Sequence, residues 1–196
     1  MLGKAELLAA ITPLNRGITA TASDRLAVDA ATVRLEERNP TPEPLTDDRL
    51  EGDWRLLYTT SRELLNINRL PFASLGPIYQ CLRLQENRIY NIAEVLGPPL
   101  LSGLVTVAAR LEPVSNRRVN VRFERGIFGL QRLLSYQSPS QFMTVLETVP
   151  HLSLVQGVDF SINADRQSGW LEVTYLDDDL RISRGNQGNL FILGKN

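Results

Sequence analysis

The sequence predicts a mainly β fold, a small closed antiparallel barrel behind one or two N-terminal helices. Three observations carry this. Thr174–Leu193, TYLDDDLRISRGNQGNLFIL, reads as three short strands joined by turns at Asp177-Asp178 and Gly185-Asn186-Gln187-Gly188. Gly52-Asp53-Trp54, followed by RLLYTTS, opens an early strand with a tryptophan. From Leu50 onward the hydrophobic pattern switches from helical spacing to period two. On the strand after the Asp turn, Leu180, Ile182 and Arg184 share a face by that period, so a charge points toward the barrel interior. A strand-opening Gly-x-Trp and an Arg on a late strand suggest a Trp–Arg stack near one end of the barrel.

Taken in order, Leu2–Ile11 is rich in Ala and Leu and predicts a short helix stopped near Pro13. Thr21 and Asp24 form a capping-box pattern, and a second helix runs to about Arg38. Leu26, Ala30 and Val33 fall on its apolar face, with Arg34, Glu36, Glu37 and Arg38 toward solvent. Pro40, Pro42 and Pro44 impose an extended linker. Strands follow at Asp53–Thr60, with Trp54, Leu56 and Tyr58 on one face, and at Ile78–Leu84 and Arg88–Leu96 around a Gln85–Asn87 turn. Gly97-Pro98-Pro99 interrupts the pattern. Leu104–Leu111 and Arg117–Arg125 form a hairpin in which Val119, Val121 and Phe123 alternate with charged and polar residues. Phe142–Val149 is read as a further strand, and Val158–Ile162 and Trp170–Leu176 flank a turn. Eight to ten short strands at this spacing favour a barrel over a sandwich. The expected organisation is a single domain, with helices over 1–38, a Pro-rich linker over 39–49 and the barrel over 50–194. Two connections are too apolar for solvent loops: Arg62–Gly76, with Leu64, Leu65, Ile67, Leu70, Phe72 and Leu75, and Gly126–Leu134, GIFGLQRLL. They either cap the barrel ends or form a lid over a ligand mouth or a segment dipping into lipid.

LEGDWRLLYTTSRELL at Leu50–Leu65, LGPIYQCL at Leu75–Leu82 and the Thr174–Leu193 motif resemble the plastid lipid-associated proteins, also called plastid fibrillins. Asn39-Pro40-Thr41-Pro42 and the helix before it resemble the segment preceding the barrel in that family, so the similarity runs from about Leu26 to Leu193. The resemblance implies a lipocalin-like barrel and non-enzymatic binding of thylakoid lipids, prenylquinones or carotenoids in photosynthetic membrane organisation or photoprotection. It brings no catalytic residue. Two other readings stand beside it: a coat or scaffold for lipid bodies or membranes that holds no internal ligand, and a lipocalin-like bilin lyase, which would need a polar, open cavity.

Composition narrows the field. A net charge of −1 and a pI near 5.9 argue against broad nucleic-acid binding, which needs a basic surface. One cysteine, Cys81, has no internal disulfide partner, and one histidine with one cysteine makes a zinc site improbable. No cofactor or metal is expected. No apolar run approaches the roughly 20 residues of a spanning helix, so membrane association is expected to be peripheral. Met1–Ile11 is neither a signal peptide nor a Ser- and Arg-rich transit leader, which points to the cytoplasmic side of a cyanobacterial thylakoid, or to a plastid had a leader been removed.

The candidate ligand-binding residues are Trp54, Tyr58, Tyr79, Phe123, Tyr175 and Arg184, lining a barrel that accepts a prenylquinone, a carotenoid or a glycolipid or is filled by its own side chains. Trp54 is a core residue stacked on Arg184, or on Arg181 if the face assignment is off by one. Arg184 either closes the barrel or holds a polar lipid head, since a buried Arg cannot shed its charge and needs an acceptor. Asp177–Asp179 reads as a turn with an added salt bridge to Arg181 or Arg184; it lacks the spaced oxygen ligands of a calcium loop. Arg110, Arg118 and Arg122 form either a solvated outer face balanced by Glu112 and Glu124 or a cationic patch for anionic lipid. Cys81 is read as a buried, inert thiol and His151 as a loop residue.

Overall fold

Two helices come first in the computed structural model of the chain, which describes residues 2–65, 74–149, 151–163 and 168–196. Helix α1 spans Leu2–Ile11 and α2 spans Ala22–Glu36. The capping box at the start of α2 is present: the Asp24 backbone N–H donates to the Thr21 hydroxyl, and the Thr21 N–H donates to the Asp24 carboxylate at 2.9 Å. The buried stripe of α2 is Val28, Ala31, Thr32 and Leu35, whereas Leu26 and Val33 are exposed. The face expected from Leu26, Ala30 and Val33 is therefore turned away from the sheet, because Val28, Ala31 and Leu35 pack with Leu7 and Ile11 of α1 onto strand residues.

The strands are β1 (Gly52–Thr59), β2 (Ser74–Arg83), β3 (Arg88–Leu96), β4 (Gly103–Pro113), β5 (Arg118–Leu130), β6 (Val158–Ser161), β7 (Ser168–Leu176), β8 (Leu180–Gly185) and β9 (Leu190–Lys195). A four-residue helix α3, Arg62–Leu65, follows β1, and α4, Pro139–Thr148, lies between β5 and β6. All pairings among the named strands are antiparallel, in the order β4-β3-β2-β1-β9-β8-β7-β5-β6, and β4 also pairs with β5. That last pairing closes the sheet on itself, as a lipocalin-like barrel requires, with β6 added to the distal half of β5.

Apolar residues gather in three places. Trp54, Leu56, Ile78, Leu82, Ile89, Leu111, Val119, Val173 and Leu193 line the ring interior. Tyr58, Tyr175, Leu180, Ile182 and Ile192 lie on its outer face beneath α1 and α2. Cys81, Tyr90, Ile92, Leu104 and Ile127 lie on the outer face beneath Phe142, Met143 and Leu146 of α4. Two expectations change here. Phe142–Val149 is not a strand: Ser138 caps a helix by accepting from the Gln141 N–H, Pro139 sits in its first turn, and Phe142, Met143 and Leu146 bury one helical stripe. Gly126–Leu130 is not a connection but the end of a long β5 paired along its length to β4.

The register shifts between Leu56 and Tyr58 in β1 and between Val173 and Tyr175 in β7. A bulge inserts one residue and reverses the alternation beyond it. Trp54 and Leu56 therefore face inward while Tyr58 faces the helices, and Val173 and Leu176 face inward while Tyr175 faces the helices.

One end of the barrel is closed. Leu45 and Leu50, from two short 3-10 turns in the linker, pack against the interior, and the Leu45 N–H donates to the Asn116 carbonyl at 3.1 Å. The other end carries the loops 97–102, 131–138 and 151–157. The α1–α2 connection crosses Thr59 there, at Gly17. Gly17 has φ +102°, and a Cβ on it would lie 2.3 Å from the Thr59 carbonyl oxygen, so a side chain fits neither the conformation nor the space.

Candidate functional site

Trp54 forms the floor of the barrel. Its indole N–H donates to the Leu50 carbonyl at 2.9 Å, which fixes the ring across the closed end. Two cations approach the ring: the Arg181 guanidinium carbon lies 5.2 Å from its centroid and the Lys195 Nζ 4.6 Å. The stacking partner is thus Arg181, not Arg184. Leu180, Ile182 and Arg184 do share a face, but it is the outer one beneath the helices, so Arg181 and Ser183 point into the barrel. Arg184 binds Glu36 of α2 through two hydrogen bonds of 2.9 Å and lies 3.5 Å from Asp29.

Arg181 is fully buried. Its Nη2 donates to the Gln80 Oε1 at 2.5 Å, while its Nε and Nη1 have no partner. Burial pushes its guanidinium down to about 9, which leaves it cationic at neutral pH. No carboxylate among the described residues pairs with it. The Lys195 ammonium is pushed down by burial and then by the Arg181 charge; it donates to the backbone carbonyls of Arg49, at 2.6 Å, and Glu51. The Ser183 hydroxyl, two residues along the same inward face of β8, is also buried without a partner.

Above the floor the wall is apolar apart from Asn91 on β3, and toward the far end it becomes accessible. Val105 faces Phe128 across β4–β5, Phe128 faces Val158 across β5–β6, and Phe160 lies over Gly126. All belong to the inward face. Phe128, Val158 and Phe160 are about half exposed, and Val105, Val107 and Phe123 are partly so. The wall continues into an exposed aliphatic rim, with Leu100 71 %, Leu154 93 % and Val155 80 % exposed and Leu101 beside them. The rim loops are tied together: the Gln131 N–H donates to the Ser102 carbonyl at 2.9 Å, and Gly129 passes so near the Gln156 carbonyl that a Cβ would stand 2.8 Å from it. No ionisable residue occurs in 95–109, in 126–131 or in 152–158.

Of the residues singled out from sequence, Trp54 and Phe123 face the interior. Tyr58 and Tyr175 lie under α1 and α2, Tyr79 lies on the outer face beside the α4 cluster, and Arg184 lies outside with Glu36. Gln80, Ser183 and Lys195 were not singled out, and neither was the Leu100–Leu154 rim, which the uncharged stretches could have signalled. Ile67, Leu70 and Phe72 of the expected lid lie outside the described residues; Leu64 packs against the interior cluster and Leu75 is buried in it.

The Asp177–Asp179 turn is engaged by residues outside its own sheet. Lys4 contacts Asp177 and Asp179, Arg49 lies 3.3 Å from Asp178, and the Tyr175 hydroxyl donates to Asp177 at 2.7 Å. The salt bridge expected to Arg181 or Arg184 is made by Lys4 and Arg49 instead. Burial would raise the Asp177 carboxyl, but hydrogen bonds from Lys4, Tyr175 and the Asp179 and Leu180 N–H groups hold it at about 2. On the outer face Arg110 pairs with Glu124 and Arg122 with Glu112, each at 3.0 Å, and Arg118 lies 4.0 Å over Trp170. Burial pushes the Cys81 thiol up, and the His151 imidazole is exposed, 4.0 Å from Asp159. A shallow groove at the closed end, lined by Pro42, Glu43 and Ser115–Arg117, is a polar seam between linker and β4–β5 turn, away from the interior.

The PAP_fibrillin family model matches residues 1–194. The chain belongs to this family. Relatives of this PAP_fibrillin chain include the probable plastid-lipid-associated protein 5, chloroplastic, of Arabidopsis thaliana, 30% identical over 97% of the chain and 68% of that protein. Plastoglobulin-1, chloroplastic, of Pisum sativum is 34% identical over 91% of the chain and 56% of its own length. The chromoplast-specific carotenoid-associated protein of Cucumis sativus is 31% identical over 92% of the chain and 63% of its own length. The PAP_fibrillin chain thus spans between about half and two thirds of the length of these three relatives.

Proposed function

We propose that the protein is a non-enzymatic lipid binder that sits peripherally on a photosynthetic membrane and takes an apolar, lipid-like molecule against the inner wall of its barrel. The observation that carries this reading is the half-exposed inward face of β4, β5 and β6, continuous with an uncharged aliphatic rim. The inward side chains of β1, β2, β7 and β8 named above are buried; here Phe128, Val158 and Phe160 offer apolar surface that a polyisoprenoid or acyl chain would remove from water, at roughly 25 cal/mol per Å². The names of the relatives, which include lipid-associated and carotenoid-associated proteins, support a prenylquinone, a carotenoid or a glycolipid as the cargo class. The same names support a plastid-type site of action, the cyanobacterial counterpart being the cytoplasmic face of the thylakoid. No described helix is long and apolar enough to cross a membrane. A bilin lyase would want a polar open wall, and this one is apolar.

The test is organic extraction of the protein purified from its native host, with mass spectrometry of the extract. A stoichiometric prenyl lipid, carotenoid or glycolipid is expected. A lipid-free protein that still floats with vesicles would leave the coat or scaffold reading in its place.

A further inference from the structure

The interior is largely apolar, and its inward polar residues include Gln80 on β2, Asn91 on β3, Lys195 on β9 and, at the floor, Arg181 and Ser183 on β8. There Arg181 and Ser183, both fully buried and both aimed inward from β8, leave three polar atoms without partners: Arg181 Nε, Arg181 Nη1 and Ser183 Oγ. Buried N–H and O–H groups are almost always satisfied, and leaving one unsatisfied costs about 1–3 kcal/mol, more when the group is charged. Here the deficit is also one of charge. Gln80 supplies a neutral acceptor to Arg181, and the nearby Lys195 adds a second cation that donates only to backbone carbonyls. Glu51 and Asp53 offset part of the Lys195 charge, but among the described residues no carboxylate reaches Arg181, while the wall leading from it to the rim suits a hydrocarbon chain.

We propose that Arg181 and Ser183 form the head-group receptor of the barrel, and that the ligand is a single-chain amphiphile whose carboxylate lies against them while its chain runs along the β4–β5–β6 wall to the rim. This rests on the reading of the interior as a lipid site and adds the polar end of the ligand to it. A carboxylate supplies several lone pairs and the missing negative charge. A quinone carbonyl could accept one of the same hydrogen bonds but would leave the charge uncompensated. Trp54, in contact with Arg181, reports occupancy of the floor.

The experiment is a titration of Trp170→Phe protein, in which Trp54 is the remaining tryptophan, with laurate, dodecanol and a decyl-substituted benzoquinone below their micellar concentrations. Laurate is expected to quench or shift Trp54 emission and to bind at least about tenfold more tightly than dodecanol. In Arg181→Met that preference is expected to vanish while dodecanol affinity holds. Arg181→Met orphans the Gln80 oxygen but removes a buried charge that no described carboxylate pairs, and is expected to keep a cooperative melting transition, which is checked before binding is compared. Arg181→Lys, which keeps the charge but changes its shape, should restore part of the preference. Ser183→Ala should weaken laurate binding with dodecanol unchanged. Equal binding of laurate and dodecanol to the otherwise native protein, or tighter binding of the quinone, would overturn the proposal and leave the lipid-site reading standing. This comparison needs no Arg181 variant. A protein that binds none of the three would overturn both.

Discussion

Trp54 is held by its edge and faced by cations, and the two constraints are separable by substitution. Trp54→Ala empties the floor and is expected to lower the unfolding free energy by about 3–5 kcal/mol in urea titration. Arg184, at first reading the partner of this ring, belongs to another layer, since Glu36 and Asp29 claim it from α2. The residue types were legible in the sequence but the face was not. Leu180, Arg181, Ile182 and Ser183 are all buried, because β8 is covered by the interior on one side and by α1 and α2 on the other. Alternation assigns a face only when the other face is wet. Asp177 shows a second residue-level consequence. Its carboxyl is held at about 2 against roughly 3.9 in an unfolded chain, so the stability it contributes is present above about pH 4 and is lost as pH falls through about 2. Asp177→Asn should lower the melting temperature at neutral pH and flatten its decline between about pH 4 and pH 2, as followed by circular dichroism.

At the element scale the connection between the two helices is anchored to the sheet through its backbone. The Thr59 N–H donates to the Arg16 carbonyl at 3.1 Å, and the Arg16 guanidinium donates to the Leu75 carbonyl at 2.7 Å, so the α1–α2 connection is fastened to β1 and β2. Gly17→Ala puts a Cβ into the Thr59 carbonyl and is expected to cost about 1–3 kcal/mol, read as a lowered melting temperature with the near-ultraviolet spectrum retained. Element identity was largely readable. The β1–β5 and β7–β9 strands follow period-two runs, and the Thr21–Asp24 pattern marks the start of α2. What misled was local. Phe142–Val149 carries β-branched and aromatic residues, yet the Ser138–Pro139 start and the spacing of Phe142, Met143 and Leu146 decide for a helix. The bulges after Leu56 and Val173 turn Tyr58 and Tyr175 outward, and no residue type there announces the extra position.

At the scale of the whole molecule the two ends are chemically opposite. The closed end gathers the Asp177 turn, Lys4, Arg49 and the floor cations, whereas at the open end the loops 97–102 and 152–157 are uncharged and Arg132 is exposed in the third, 131–138. Association with a lipid surface is expected to use the open end and to be nearly independent of salt, since Arg110 and Arg122 are already paired with Glu124 and Glu112. The double variant Leu100→Asp, Leu154→Asp should reduce flotation with phosphatidylcholine vesicles at least about tenfold while leaving the melting temperature nearly unchanged, because each leucine forfeits up to about 1.5–3 kcal/mol of burial. Flotation that falls steeply with salt would instead assign the attachment to the arginines. The ring closure has a consequence of another kind. β1 pairs early with β2, but Leu56 pairs with Leu193 and Thr59 with Phe191, so β1 finds its second partner only when β9 has been synthesised. Until then β1 and β8 both present bare edges, a template for pairing with neighbouring chains. Folding is consequently paced by the most distant contacts in the chain, in the slow milliseconds-to-seconds class, and a translational stall after β8 exposes to aggregation the β1 and β8 edges that the finished ring closes.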